Sequence, residues 1–217
     1  MSRELILDAA TRFIDQEGLR QLTMRKLGAW CGVEAMALYR YVSGRDELIT
    51  AIVDRVIDTL YDDQLRSRRE EDGGWQDYLQ RLAHGVRAIA LAHPELFPLI
   101  ATRPPQAPWV RPPLRSLRWM ETFLDTLLGY GFDDDGAVAA YRAFTTFLLG
   151  QLLLEVAARG TTLGPVDAQG REESSADLTD YPNLLRLQGE LSQDHGAAEF
   201  EEALENLLDR LELYLGR

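Results

Sequence analysis

Between residues 20 and 45 the chain places five basic side chains, Arg20, Arg25, Lys26, Arg40 and Arg45, against one acidic one, Glu34. Local positive charge of this kind suits phosphate binding, because Lys and Arg neutralise a nucleic-acid backbone and release its counterions. The patch contrasts with the rest of the molecule. The 217 residues carry a net charge of -12, residues 1–50 hold seven basic and seven acidic side chains, and the acidic excess therefore lies wholly in residues 51–217. A basic patch ahead of an acidic body is the charge layout of a DNA-binding head on a body that leaves DNA alone.

Other chemistries lack their residues. Three histidines, His84, His93 and His195, and the single Cys31 supply neither a zinc cluster nor a disulfide framework. No phosphate loop, nucleophile elbow or dinucleotide fingerprint is present, so the chain does not read as an enzyme and no cofactor or metal is expected. The run Asp133-Asp134-Asp135 lacks the alternating spacing of a calcium loop and reads as a helix cap. Cys31, between Trp30 and Gly32, reads as a small buried hydrophobe rather than a redox switch. The N-terminus shows no apolar signal segment, which leads us to expect a cytoplasmic protein. Residues 137–158 have the length of a membrane span but contain Arg142, Gln151 and Glu155, and so read as a buried helix of a globular body.

The elements that must position the basic patch follow from helical periodicity. Hydrophobic residues make up 46% of the chain and charged residues 27%, which suits a packed core rather than disorder, and no alternating strand pattern is found. Leu5, Ile6, Ala9, Ala10, Phe13 and Ile14 form one helical stripe, stopped at Gly18. Thr23 caps a short second helix carrying Met24, Leu27 and Cys31 inward, and Gly32 turns the chain into a third, over 34–41, that buries Leu38. Two short helices joined by a tight glycine turn make a helix-turn-helix. Ser43 with Asp46 resembles a capping box that opens a long connector helix. Beyond it the apolar periodicity marks helices from Trp75 to a break at His93-Pro94, from Leu114 to Leu128, over 137–158, over 184–191 and over 200–215. The proline-rich stretch 104–113 and the polar stretch 160–180 read as loops. The expected fold is all-α: a helix-turn-helix head over 1–47 and a helical ligand-binding and dimerisation body over 48–217.

Residues 22–48, LTMRKLGAWCGVEAMALYRYVSGRDEL, together with the first-helix run ILDAA, closely resemble the DNA-binding segment of the TetR repressor family. That resemblance implies a second helix fixed on phosphates through Thr23 and Arg25 with help from Lys26. It implies a third helix whose Ala35, Met36 and Ala37 meet base edges, where short apolar groups touch thymine methyls but make no bidentate hydrogen bonds. Arg40 is then the candidate guanine contact, Tyr39 and Tyr41 offer hydroxyls to phosphates, and Arg45 matches a backbone-holding position. For Tyr41 core packing is an equal alternative. Gly28 departs from the alanine common in the family, at a helix-propensity cost of about 1 kcal/mol, and Glu34 stands where serine is frequent.

The body resembles the tetracycline-repressor-like branch through residues 93–104, HPELFPLIATRP, and through the apolar helix after Asp135. This implies a small-molecule inducer among its helices and a homodimer through helices near 136–159 and 196–215, with Leu148 and Leu152 as positions at which to probe that interface. Pocket candidates are His84, Arg103, Trp109, Trp119, Tyr141, Thr145 and Gln151, which present polar tips or aromatic faces from apolar surroundings. Where tetracycline-binding members hold magnesium through a histidine, this chain has Leu99, which argues against tetracycline with magnesium. The implied function is a repressor released from a pseudo-palindromic duplex operator by a small apolar or aromatic inducer. The alternative is an all-α small-molecule-binding or scaffold protein that does not bind DNA.

Overall fold

The computed structural model describes residues 1–69, 73–102, 109, 116–159 and 177–215. These form ten α-helices, one short 3-10 turn at Leu19–Gln21 and no strand. The first helix, α1 (Arg3–Glu17), is capped by Ser2 and ends at Gly18, whose φ of 85° is open to glycine but costly for other residues. Its buried arc is centred on Ile6, Leu7, Ala10, Phe13 and Ile14; Leu5, expected inside, is 58% exposed. The arc rotates this way because α1 packs against both α2 (Met24–Trp30) and α4 (Arg45–Arg69). A pair of acids on α1, Glu4 and Asp8, meets Arg55 of α4, with Asp8 at 2.6 Å.

Between α2 and α3 (Ala35–Leu38) the chain reverses at Gly32, with φ of 68°. The start of α4 corrects the expected capping pair: Glu47, not Asp46, reaches back to accept the Ser43 N–H at 2.5 Å. Bonding to Ser43 holds the Glu47 carboxyl below its ordinary value of 4.5. A carboxylate whose folded value is depressed adds stability above its unfolded value and loses it as pH falls through the folded one. The first turn of α4 should therefore loosen below about pH 4. Amide exchange at Ser43 should quicken there in the native protein and lose this pH dependence in Glu47→Gln.

Two cores meet along α4. Leu48, Ala51 and Ile52 join Ile6, Ile14, Leu27 and Leu38 in the first, while Leu60 and Tyr61 pack on the second. That second core lies among α5 (Gly74–Ala92), α7 (Leu117–Gly129), α8 (Asp134–Ala158) and α10 (Gly196–Glu212). Asp133 caps α8 by accepting the Gly136 N–H at 2.7 Å, as the acidic run suggested. By length and composition α8 could cross a membrane, but Phe144, Leu148, Leu152 and Val156 are buried in the second core. Leu148 and Leu152 thus face this chain's own interior, not a partner. The opposite face, Val138, Arg142, Thr146, Gly150, Leu154 and Ala158 at four-residue intervals, is exposed. The helix α9 (Pro182–Leu191) buries none of its residues and exposes Leu184, Leu185, Leu187 and Leu191.

The short α6 (Phe97–Thr102) and the turn before it belong to both cores. Leu96 is enclosed in the first and the adjacent Phe97 in the second. Polar contacts hold the same turn to the end of α1: the Leu19 N–H donates to Glu95 at 3.3 Å, and His93 Nδ1 lies 3.0 Å from an Asp15 oxygen.

Candidate nucleic-acid interface and ligand cleft

The helix-turn-helix is tightly closed. A Cβ on Gly28 would lie 2.9 Å from the Val33 carbonyl oxygen and 3.1 Å from the Ala35 nitrogen, so glycine lets the backbone entering α3 rest directly on α2. The Val33 N–H donates to Gly28 O at 2.9 Å across this contact. The propensity cost of Gly28 is thereby offset by packing that alanine would obstruct. Thr23 caps α2 as expected, its hydroxyl oxygen accepting the Lys26 N–H at 3.1 Å.

Thr23, Arg25, Lys26, Met36, Tyr39 and Arg40 are exposed, and Ala35 and Ala37 are half-buried beside Met36. They share the outer surface of the head. The Lys26 ammonium donates to Gln21 Oε1. Arg45 donates from Nε to Leu22 O at 2.9 Å and from Nη2 to Leu19 O at 3.1 Å, holding the turn that launches α2. Tyr41, half-buried, packs on the head core and donates its hydroxyl to the Met1 carbonyl at 2.7 Å. Cys31 is partly buried, and burial pushes its thiol above the ordinary value against a smaller opposing effect from Arg12. A thiol held protonated is a poor nucleophile.

In the body a cleft of about 610 Å³, open mouth included, is lined by Ile57, Leu60, Val86, Phe97, Ile100, Ala101, Ser116, Trp119, Thr145, Leu148 and Leu149. Its polar tips are engaged in helix geometry: Thr145 donates to Tyr141 O at 2.6 Å, and Ser116 accepts the Trp119 N–H at 3.2 Å. Such a lining favours an apolar ligand with few hydrogen-bonding groups. Of the sequence candidates, Trp119 and Thr145 line it. Tyr141 is buried nearby, its hydroxyl 3.2 Å from Met120 sulfur and pushed up to about 12 by burial. His84 instead faces Glu201 of α10 at 3.5 Å, Gln151 is half-buried outside the lining, and Trp109 is 82% exposed. Arg103 lies outside the described residues. The lining residues that sequence reasoning missed, such as Ile57, Phe97 and Ile100, are apolar and carry the same local signal as core.

Comparison with known proteins agrees with both parts. Residues 6–52 match the family model for bacterial regulatory proteins of the tetR family, and residues 69–214 match that of the tetracyclin repressor-like C-terminal domain. A possible TetR family transcriptional regulator from Streptomyces coelicolor A3(2) superposes with a TM-score of 0.73 at 31% identity, covering 98% of this chain and 99% of that one. The HTH-type transcriptional repressor DrrR1 of Streptomyces coeruleorubidus is 27% identical across 100% of this chain and 79% of its own length. ActR of Streptomyces coelicolor, solved with actinorhodin, shares the fold, with a TM-score of 0.65 at 24% identity over 100% of this chain and 98% of that one. These family models describe regulators, not enzymes. The chain belongs to the TetR family of bacterial regulatory proteins and is, at that level, a helix-turn-helix DNA-binding transcriptional regulator.

Proposed function

We propose that the protein is a cytoplasmic, homodimeric repressor that leaves a pseudo-palindromic operator when a small, mostly apolar, aromatic molecule occupies the body cleft. Residues 1–47 act as the DNA-binding head and residues 48–217 as the ligand-binding and dimerisation body. The observation that carries this reading is the placement of Leu96 and Phe97. Phe97 lines the cleft, while the preceding residue is enclosed in the head core. A ligand that displaces Phe97 or Ile100 must strain the Leu96 contact, the Glu95 and His93 contacts to the head, or α4 itself. Ligand thereby favours a body state that holds two heads at the wrong separation for successive major grooves. Complexes such as that of ActR with actinorhodin give the reading a precedent in a protein of the same fold.

The test is an operator selected from a random DNA pool, which should show inverted repeats, followed by titration of aromatic hits from a thermal-shift screen with and without that operator. Linkage requires an inducer that weakens operator binding by some factor to bind the DNA complex more weakly by the same factor. Hits with equal affinity for free and operator-bound protein would refute the switch. The dimer rests on the exposed α8 face and the leucines of α9. Leu154, 69% exposed, can be changed without touching the core, and Leu154→Glu should weaken association by about 3 kcal/mol. Sedimentation at micromolar concentration should then find monomer with unchanged helix content. An undiminished dimer would place the interface elsewhere.

A further inference from the structure

We propose that this head reads its half-site through thymine methyl groups lying against Ala35, Met36 and Ala37, with Arg40 supplying the guanine contact. The inference rests on the reading of the protein as an operator binder and names the base chemistry that it selects. Four observations carry it. The recognition helix α3 is only AMAL, so none of its side chains can form a hydrogen bond to a base edge, and Leu38 is turned into the core. Met36 is 74% exposed between two half-buried alanines, which makes one continuous apolar spot on the surface that faces DNA. From Thr23 to Arg45 there is neither Asn nor Gln, the side chains that pair bidentately with adenine, so an A·T pair is legible there chiefly through its thymine methyl. Finally, Lys26, Tyr41 and Arg45 are occupied by contacts within the head. Among the described residues the exposed guanidinium of Arg40, two residues beyond α3, has no hydrogen-bond or ion-pair partner, and Arg is the side chain whose fork fits guanine O6 and N7. An unbranched thioether such as Met36 adapts its shape to a methyl surface without a fixed rotamer.

The experiment uses the full-length protein and the half-site recovered by DNA selection. Deoxyuridine replaces each thymidine in turn, which deletes the 5-methyl and leaves base pairing intact. Affinity should fall about fourfold for each methyl in contact, and Met36→Ala should remove the sensitivity at the position that Met36 covers. Replacing the contacted guanine by 7-deazaguanine should weaken wild-type binding about tenfold or more and leave Arg40→Ala, already weakened about ten- to a hundredfold, unaffected. Arg25→Ala, by contrast, should weaken all sequences about equally and lower the salt slope by about 1. Specific binding that is indifferent to uracil at every position overturns the proposal even if the variants fail to fold, because those arms use the wild-type chain. Failure to enrich any sequence, with no salt-dependent binding, would overturn the operator-binding reading itself.

Discussion

Replacing Phe123 by alanine is expected to cost about 3–5 kcal/mol of stability, the largest single loss available in the body. The ring is fully buried and stands at the centre of an aromatic cluster. Trp119 stacks on it at 5.3 Å between centroids, Phe144 lies at 5.5 Å, Tyr141 meets it edge-on at 5.9 Å and Tyr78 lies at 6.4 Å. Deleting the ring removes its transfer free energy and leaves a cavity walled by large rings on helices α5, α7 and α8, which cannot collapse into it without moving whole helices. Pair geometry adds about 0.5–1.5 kcal/mol per aromatic contact beyond area burial. Urea unfolding at fixed protomer concentration measures the effect. A loss below about 1 kcal/mol would mean that the cluster re-packs freely. The new void would open behind Trp119, which lines the cleft, so the variant should also change the size of compound accepted there.

Breaking the ion pair between Arg87 and Glu155 should cost about as much, for a different reason. The Glu155 carboxylate is 8% exposed and takes two hydrogen bonds from one guanidinium, Nη2 at 2.7 Å and Nε at 3.1 Å. Arg159 approaches at 3.4 Å, and the Arg87 guanidinium also lies 5.0 Å from the centre of the Phe200 ring. Two charges withdrawn from water gain little net stability together, but removing one leaves the other desolvated. Arg87→Met is therefore expected to lose about 3–5 kcal/mol, whereas Arg87→Met combined with Glu155→Leu should recover most of it. A double-mutant cycle decides the matter: additive losses would show that the two side chains act independently.

Much of this protein was legible before any contact was known. Helix ends are dictated within about four residues, by caps that satisfy the first free N–H groups and by glycines that accept a left-handed backbone. Hence Gly18, Thr23, Gly32 and Asp133 mark their boundaries in the sequence as they do in the structure. The charge contrast between head and body, and the apolar character of α3, are likewise properties of composition alone. Even the connector helix could be read from its two apolar rows.

Tertiary structure decided what depends on residues far apart in the chain. Glu155 is visible in the sequence as an interruption of an apolar helix, yet its partner lies 68 positions away, and no local pattern encodes that meeting. Leu148 and Leu152 look alike from every side of a nearly uniform helix; only the placement of α5, α7 and α10 turns them inward and leaves Leu154 out. The cleft is a gap between surfaces that are each ordinary core, so a search for polar tips found Trp119 and Thr145 but not Ile57, Phe97 or Ile100. The link between cleft and head depends on two neighbouring side chains, Leu96 and Phe97, entering different cores. Periodicity marks both as apolar, but hydrophobic burial has no direction of its own, and packing against distant helices assigns each its core.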